Sequence, residues 1–336
     1  MSRARVVATI VPATLAFILA VPVLAADDAG PLTVYSGRSE SLVGPVLEAF
    51  SEETGIQIEV KYGDTAELAA ILLEEGDRSP ADVFFAQDAG ALGAVADDGL
   101  FSALPEDLLA RVPAAYRGGD GDWVGITGRA RTVAYTTAEE VELPDSILDF
   151  TEPSWSGRIG WAPANGSFQS FVTALRLVQG EEAARDWLEG ILANDPVAYP
   201  ANTAAVEGVA AGEVDVAFVN HYYLLRLLAE HGDDYPVAQR FLAGGDTGAL
   251  VNVAGVGQLI SSDQPATAEA LIDYLLSEEA QHHFAESTYE YPLIEGVPAD
   301  PRLPAIGDIG APPVDLSDLA DLAGTVALLR NVGAID

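Results

Sequence analysis

Two adjacent tyrosines, Tyr222 and Tyr223, are the residues of this chain best suited to chemistry. They follow the apolar run 214–219, which predicts a buried strand, so we expect both phenols at the mouth of a sheet. A small, highly charged cation such as Fe³⁺ prefers hard anionic oxygen ligands, and phenolate is one of these. Because a tyrosine has a pKa of about 10, it ionises at neutral pH only when a bound cation offsets the cost. Adjacent aromatic residues after a strand are also common packing residues, and the pair alone does not decide between the two interpretations.

Two arginines and one short polar segment are candidates for holding an anion. Arg129 and Arg131 are two residues apart, so on a strand their side chains face the same side. A guanidinium can grip carbonate or phosphate through two parallel hydrogen bonds, but either arginine could instead pair with one of the 52 acidic residues. Asn165, Gly166 and Ser167 precede a predicted helix, whose free N–H groups and dipole suit an anion. The same three residues could equally form an ordinary helix cap and turn.

Other chemical signatures are weak or absent from the sequence. His221 is next to the tyrosine pair, but we expect its side chain to point to the other face of the chain. The sequence has no Gly-x-Ser-x-Gly motif, no P-loop and no Gly-x-Gly-x-x-Gly motif after its first strand. Those patterns mark nucleophile elbows and nucleotide sites, so the sequence favours a binding protein over an enzyme.

The composition excludes several classes of protein. The chain has 336 residues, of which 49% are hydrophobic, so it can bury a core, and its length predicts two domains. Its formal net charge is −36 and its one lysine is Lys61, so we expect it to bind neither nucleic acid nor an anionic bilayer. Zero cysteines exclude disulfides, thiolate metal sites and cysteine nucleophiles. The acidic excess is typical of a solvated surface or of cation capture, and the scattered carboxylates favour the first.

The N-terminal segment has the pattern of an export signal. Arg3 and Arg5 precede an uncharged, mostly apolar run, 6–26, that ends in small residues. A basic start, an apolar middle and a small-residue end predict a signal peptide over 1–26, with cleavage near its last two residues. We therefore expect a soluble mature protein in the periplasm or another extracytoplasmic space. If it were not cleaved, a run of this length could span a bilayer instead.

The first part of the mature chain alternates between strand and helix patterns. The predicted elements are strand 32–35, helix 42–51, strand 56–60, helix 67–75, strand 81–85 and helix 90–97. This β-α-β-α-β-α order predicts an α/β fold with a parallel, doubly wound sheet. Ligands of such sheets bind beyond the carboxyl ends of the strands, where segments 36–40 and 86–89 are expected.

The rest of the chain predicts a second α/β unit of the same kind. The predicted elements are strands 123–126 and 132–135 on either side of 128–131, strand 158–161, helices 168–178 and 181–192, helix 203–211, strand 214–219 followed by a helix to residue 230, a strand-rich stretch 249–260, helix 267–286 and a tail helix from about residue 316. No repeat and no low-complexity linker separates the units. Two α/β lobes joined by strands fit this order best.

Six stretches, in this order and spacing, resemble the periplasmic ferric ion-binding proteins, which are the solute receptors of iron(III) ABC importers. They are Val34-Tyr35-Ser36-Gly37-Arg38, Arg78-Ser79-Pro80-Ala81-Asp82-Val83-Phe84, Gly128-Arg129-Ala130-Arg131, Arg158-Ile159-Gly160-Trp161-Ala162-Pro163, Asn220-His221-Tyr222-Tyr223 and Glu290-Tyr291-Pro292-Leu293. The resemblance implies a two-lobed periplasmic-binding-protein fold, with the ion in the cleft and two hinge crossings, expected near 126–131 and 249–253. The expected parts are an N-terminal lobe of 30–128 and 250–300, a C-terminal lobe of 129–249, and a helical tail, 301–336, packed on the C-terminal lobe.

The resemblance also assigns roles to single residues. Tyr222 and Tyr223 match the tandem tyrosine iron ligands of the family. The residues that match anion-binding positions of various members are Asn165, Gly166, Ser167, Asn202, Asn220 and either Arg129 or Arg131. We therefore expect ferric ion as the cargo, with carbonate or phosphate as a synergistic anion.

The chain departs from the family on the lobe opposite the tyrosines. Ser39 stands where some members supply a histidine ligand, and Glu40 where others supply a tyrosine. Gln87 replaces a glutamate ligand of some members, with Asp88 next to it, and Asn165 replaces a third tyrosine. Our hypothesis is that Glu40 or Asp88, or exogenous carbonate and water, completes the iron shell.

The expected function is that of a monomeric receptor that captures ferric ion between its lobes and delivers it to an ABC permease. Closure follows because the ligand contacts both lobes only in the closed state. One alternative is a receptor of the same fold for another solute, such as a phosphonate or a polyamine. A secreted hydrolase or lyase is a further alternative, which needs a nucleophile–base pair that has no local signature in the sequence.

Overall fold

The computed structural model describes residues 30–242 and 244–336, so the signal peptide expected over 1–26 lies outside the described residues. The strands are β1 (Leu32–Ser36), β2 (Ile58–Tyr62), β3 (Val83–Ala86), β4 (Trp123–Thr136), β5 (Ile159–Trp161), β6 (Val197–Ala198), β7 (Val216–Asn220), β8 (Val237–Arg240), β9 (Val251–Gln258) and β10 (Tyr291–Pro292). The α-helices are α1 (Glu40–Thr54), α2 (Thr65–Glu75), α3 (Ala89–Asp97), α4 (Glu106–Leu109), α5 (Gly166–Gln179), α6 (Glu181–Ala193), α7 (Asn202–Ala210), α8 (His221–His231), α9 (Pro265–Leu275), α10 (Glu278–His283) and α11 (Leu322–Val332). None of the helices in these two ranges is both long and apolar enough to cross a membrane.

The first lobe is built on the predicted β-α-β-α-β unit. Strand β1 lies between β2 and β3, and both pairings are parallel. Strand β9 returns antiparallel along β3, and β4 pairs antiparallel with β9. The apolar residues of α1 recur at helical spacing, so Leu42, Val46 and Phe50 are buried on one face against the sheet. The α/β fold predicted from the sequence is confirmed.

Strand β4 passes from the first lobe to the second without a break. Up to Ala130 it pairs with β9, and from Arg131 onward it pairs with β7. The sequence predicted two strands separated at 128–131, whereas the structure has one strand of 14 residues. The two predicted strands are continuous because residues 128–130 between them also pair with β9. The irregularity falls earlier, as a register shift between Gly125 and Thr127.

The second lobe repeats the same order of layers. Strand β7 is antiparallel to β4 and parallel to β5, and β5 is parallel to β6. Strand β8 also pairs with β4. The core beneath α5 and α6 is aromatic, with side chains in contact from Phe150, Phe168, Phe171, Trp187 and Phe218. These rings hold α5 and β7 in fixed positions, and both elements lead into the site.

The C-terminal tail contacts both lobes. A 3-10 turn, Leu316–Ala320, packs on α3 of the first lobe, and α11 packs on α5 and α6 of the second. The sequence predicted a tail on the second lobe alone. Glycines in α3 permit the first contact: a Cβ on Gly90 would lie 2.6 Å from the Leu319 carbonyl oxygen, and one on Gly93 would lie 3.0 Å from that of Ser317.

Candidate functional site

The tyrosine pair lies in the first turn of α8, immediately after β7. Tyr222 is fully buried, Tyr223 is partly exposed, and their ring centroids are 4.2 Å apart at an angle of 31°. Within the described residues the Tyr222 hydroxyl has no hydrogen bond of normal geometry, although the Arg38 guanidinium lies near enough to interact with it. A buried hydroxyl without a partner costs about 1–3 kcal/mol, which a residue kept only for packing would avoid as phenylalanine. The geometry therefore favours a functional role for Tyr222 over a packing role.

His221, one residue earlier, is fully bonded instead. Its Nδ1 accepts a hydrogen bond from the Ala130 N–H at 3.1 Å, and its Nε2 donates to the Tyr289 carbonyl at 2.8 Å. Burial lowers the pKa of His221 to about 4, so the imidazole is neutral at physiological pH. With both ring nitrogens engaged, His221 fixes the start of α8 against β4 and has no nitrogen left for a metal.

Two buried arginines and one buried glutamate surround Tyr222. Arg38 Nη2 lies 2.5 Å from Glu290 Oε2, and Arg129 Nε lies 4.0 Å from Glu290 Oε1. In the part of the chain that the structure describes, all three Arg129 nitrogens, Arg38 Nε and Nη1, and Glu290 Oε1 have no hydrogen-bond partner. Buried charged groups are normally paired and hydrogen-bonded, so this concentration of unbonded donors is chemically suited to a negatively charged group.

The same groups control the charge of Tyr222. Burial raises the pKa of Tyr222 well above its ordinary value, and Tyr223 and Glu290 act in the same direction. Arg38 and Arg129 oppose the rise because a guanidinium stabilises a phenolate. Burial, together with Arg38, lowers the pKa of Arg129. Tyr222 is therefore a neutral phenol in the metal-free protein, with two cations placed to stabilise its ionised form.

Asp88 lies where the first lobe meets the start of α5. It is 1% exposed, it caps α3, and its Oδ1 accepts a hydrogen bond from the Ala91 N–H at 3.1 Å. An ideal Cβ on Gly166 would lie 3.3 Å from Asp88 Oδ2, so the second carboxylate oxygen faces α5 across the cleft. Burial raises the pKa of Asp88, while Arg129, the Ala91 N–H and Ser170 act in the opposite direction.

Arg131 and Asn220 are brought together, but their bonds are internal. Arg131 Nη1 donates to Asn220 Oδ1 at 3.3 Å, and Nη2 donates to the Phe218 carbonyl at 2.9 Å. The guanidinium also lies 5.5 Å from the centroid of the Phe171 ring, within cation–π distance. Burial lowers the pKa of Arg131 to about 10. Of the two arginines predicted to bind an anion, Arg131 is the one already fixed by the fold.

The polar residues expected around the start of α5 form one cluster. Asn165 Oδ1 accepts hydrogen bonds from the Ser167 N–H at 3.0 Å, the Ser167 hydroxyl at 2.6 Å and Asn202 Nδ2 at 3.0 Å. Gly166 is the first residue of α5 and lies beside Asp88. The structure thus places Asn165, Gly166, Ser167 and Asn202 together at one edge of the cleft.

The remaining predicted residues lie at the start of α1 and directly after β3. Ser39 and Glu40 are exposed, and Glu40 runs along its own helix, with Cγ 3.4 Å from an ideal Cβ on Gly44. Burial raises the pKa of Tyr62, and the neighbouring Glu40 and Glu48 act in the same direction. Gln87 is partly buried, and its N–H donates to a threonine hydroxyl of α2.

The residues that sequence reasoning missed are Arg38 and Glu290. Both occur in stretches that carry the family resemblance, but no role was assigned to either. Arg38 follows β1 at the carboxyl end of the strand, and this position was the available signal. Glu290 had no local signal, because its partner Arg38 is 252 residues away in sequence.

Neither an acidic cluster nor a surface cavity offers a better site among the described residues. Across 30–242 and 244–336, no three His, Asp or Glu side chains are grouped closely enough to bind a metal ion. A cavity of about 690 Å³ lies around Arg111, Tyr116 and Glu278 and contains none of the predicted site residues. The tyrosine pair with its arginines is therefore the strongest candidate site.

Comparison with known proteins agrees with this geometry. The profile of the bacterial extracellular solute-binding protein family matches residues 78–306. The major ferric iron-binding protein of Neisseria meningitidis is 33% identical over 310 residues, which cover 90% of this chain and 92% of the relative. The crystal structure of iron-bound HitA from Pseudomonas aeruginosa is 37% identical, with a TM-score of 0.86 over 90% of this chain and 99% of that one. FutA (IdiA) of Trichodesmium, solved with iron and citrate ligands, is 28% identical, with a TM-score of 0.77 over 90% and 99%.

These likenesses extend over nearly the whole described chain rather than over one motif. The two-lobed fold, the strand crossing at β4 and the tyrosine pair after β7 all fall within the shared region. The chain therefore belongs to the family of periplasmic ferric ion-binding proteins, which are extracellular solute-binding proteins of bacteria.

Proposed function

We propose that this chain captures ferric ion in the cleft between its lobes, with Tyr222 and Tyr223 as phenolate ligands. The observation that carries the proposal is the buried Tyr222 hydroxyl, which has no hydrogen-bond partner in the described structure and lies beside a second tyrosine. A trivalent cation compensates for the ionisation of two adjacent phenols, which no neutral ligand would do. The names of the relatives, which bind ferric iron, support the same cargo.

The surroundings of the pair suit ferric ion better than a softer or divalent metal. Hard oxygen ligands select hard cations, and the site offers phenols rather than histidines. His221, the nearest histidine, has both ring nitrogens in hydrogen bonds. Binding releases the protons of the phenols, so the proposal includes an affinity that rises with pH.

An anion completes the proposed site, because two phenolates neutralise two of the three charges of ferric ion. It is either a bound carbonate or phosphate, or a carboxylate of the chain itself. The unbonded nitrogens of Arg38 and Arg129 support an anion close to Tyr222. In the Trichodesmium relative, citrate accompanies the iron.

Capture and delivery follow from the two-lobed fold. We place the first lobe at 30–128 and 250–300 and the second at 129–249, with the strand crossing between Ala130 and Arg131 in β4. Ferric ion first binds to the tyrosines of the second lobe, and closure then brings Asp88 of the first lobe towards the ion and Arg38 towards the Tyr222 phenolate. The closed monomer docks on the permease of an ABC importer, and the receptor performs no catalysis.

The experiment is a ferric titration of the metal-free protein, followed by its visible phenolate-to-iron charge-transfer band. We expect the band in the wild type, a weaker or shifted band in Tyr222→Phe and in Tyr223→Phe, and none in the double variant. Tyr235→Phe is the matched control, because Tyr235 lies beyond the other end of α8 and stacks on His231. Its band should equal that of the wild type.

Two results would contradict the proposal. A full band in the double variant would place the iron elsewhere. A wild type without any band, but with saturable binding of a phosphonate or a polyamine, would make the chain a receptor of the same fold for another solute.

A further inference from the structure

The Asp88 carboxylate lies where two helix N-termini of different lobes come together. Oδ1 accepts the Ala91 N–H of α3, and Oδ2 faces Gly166, the first residue of α5. Both helix starts carry partial positive charge, which stabilises a carboxylate. Because α3 belongs to the first lobe and α5 to the second, this contact exists only when the lobes meet.

Charged and polar groups around Asp88 reinforce the position. Arg129 and Ser170 are the side chains of its surroundings that favour an ionised carboxylate, and the more distant Asp64 opposes it. Ser170 lies one turn along α5 from Gly166, is fully buried, and has no hydrogen bond of normal geometry in the described structure. Ser170 is thus a second group of α5, besides Gly166, that acts on the Asp88 carboxylate.

The start of α5 has little capacity left for a second anion. The Ser167 N–H already donates to Asn165 Oδ1 at 3.0 Å, and the Phe168 N–H donates to the Asn165 carbonyl at 2.9 Å. Gly166 is the remaining residue of the first turn, and Asp88 Oδ2 lies 3.3 Å from the place that a Cβ of this residue would take. An exogenous oxyanion here would have to displace a buried carboxylate of the same sign.

We propose that Asp88 is the resident anion of the α5 start, so that closure around ferric ion proceeds without exogenous carbonate or phosphate. The inference rests on the proposed ferric function and names the anion that function needs. The first lobe supplies the negative charge itself, and a closed receptor no longer depends on the oxyanions of its surroundings. Iron release then requires withdrawal of Asp88 by opening rather than loss of a bound small anion.

The test uses the full metal-free protein in buffer freed of carbonate and phosphate, with ferric chloride added below stoichiometry from dilute acid. Asp88→Asn removes the charge but keeps a good N-cap for α3. Asp64→Asn is the matched control, because Asp64 caps α2 in the same lobe and is exposed. Asp88→Glu tests rescue by a carboxylate. Each protein is titrated alone, with bicarbonate and with phosphate.

We expect the wild type and Asp64→Asn to form the full band without added oxyanion, and its position not to change with the anion. Asp88→Asn should lose affinity for ferric ion at least about tenfold and regain it with bicarbonate or phosphate. Asp88→Glu should restore most of the anion independence.

Two outcomes would overturn the inference. One is a wild type that requires bicarbonate as strongly as Asp88→Asn does, and the other is an Asp88→Asn variant that stays independent of added anions. If Asp88→Asn does not fold, as judged by circular dichroism, the wild type and Asp88→Glu decide the question. A bicarbonate requirement in both would overturn the inference. A wild type that forms no band under any condition overturns the proposed function itself, which separates the two failures.

Discussion

Two halves of one buried region differ in how completely their side chains are bonded. In the Arg131–His221 half, every side-chain nitrogen of His221 and both terminal nitrogens of Arg131 have partners. In the Arg129–Tyr222 half, the Arg129 guanidinium and the Tyr222 hydroxyl have none in the described structure. Each unbonded residue lies one or two positions from its bonded neighbour in sequence. The same two elements, β4 and α8, therefore contribute one structural and one functional side chain each.

The difference shows how a receptor positions reactive groups without stabilising them. The bonded residues fix the surroundings of the site, because His221 ties the start of α8 to the backbone of β4 and Arg131 ties β4 to β7. Unbonded residues then stay buried at a cost in stability, which the bound ion and its counter-anion offset. Mutations in the bonded half should therefore mainly lower stability, and mutations in the unbonded half should mainly lower ligand affinity.

Replacing each arginine by methionine should give the largest contrast. Arg131→Met removes two charge-assisted hydrogen bonds and leaves a buried carbonyl without a partner, so the free energy of unfolding should fall by about 4 kcal/mol. Arg129→Met loses no hydrogen bond and removes a buried charge, so it should change the free energy of unfolding by about 1 kcal/mol or less. Guanidinium denaturation of the two metal-free variants measures both values, and equal losses would remove the distinction between the halves.

His221 should give the next largest effect, as a dependence of stability on pH. Its pKa is about 4 in the folded protein, against about 6.5 in the unfolded chain. Between these values the unfolded chain binds a proton that the folded protein does not, so acidification through this window should lower the free energy of unfolding by up to about 3 kcal/mol.

The check compares the wild type with His221→Gln in urea denaturation at several pH values. Glutamine can accept the Ala130 N–H and donate to the Tyr289 carbonyl, but it does not titrate. All other titrating groups are shared, so the difference between the two curves isolates His221. Parallel curves from about pH 7 down to about pH 5 would show that this imidazole is not held neutral.

Tyr222→Phe should have the smallest effect, and the opposite sign. Removing a buried hydroxyl that has no partner should raise the free energy of unfolding of the metal-free protein by about 1 kcal/mol. Tyr223 is partly exposed, so Tyr223→Phe should leave it nearly unchanged. A loss of stability in Tyr222→Phe would mean that the hydroxyl is bonded in solution, which would move Tyr222 to the bonded half.

Much of the fold could be predicted from the sequence because its signals are local. The strand and helix order of the first lobe follows from alternation and helical spacing in windows of a few residues, as in α1 and β3. The tyrosine pair was identified in the same way, from an apolar strand followed by two phenols. In β4 the local signal misled, because the interruption at 128–131 is bridged by strands from distant parts of the chain.

The rest of the site depends on pairings between distant residues, which a single sequence does not encode locally. The Arg38–Glu290 ion pair joins residues 252 positions apart, and Asp88 meets α5 only through the contact of the lobes. Sequence reasoning treated Arg129 and Arg131 as equivalent, since both have the same type and strand face. Their difference arises from Phe218 and Asn220 on β7, which happen to lie within reach of Arg131 alone.

The tail that contacts both lobes has a consequence for how far the cleft can open. Its 3-10 turn rests on α3, its helix rests on α5, and Asp321 alone separates the two. Arg176 of α5 holds this junction through hydrogen bonds to the Asp321 carbonyl at 3.2 Å and to its carboxylate at 2.8 Å. Any opening that moves α3 away from α5 must therefore break the packing of the tail on one of these helices. The C-terminal tail thus limits how far the two lobes can separate, because it is attached to α3 and α5, the two helices whose N-termini meet at Asp88.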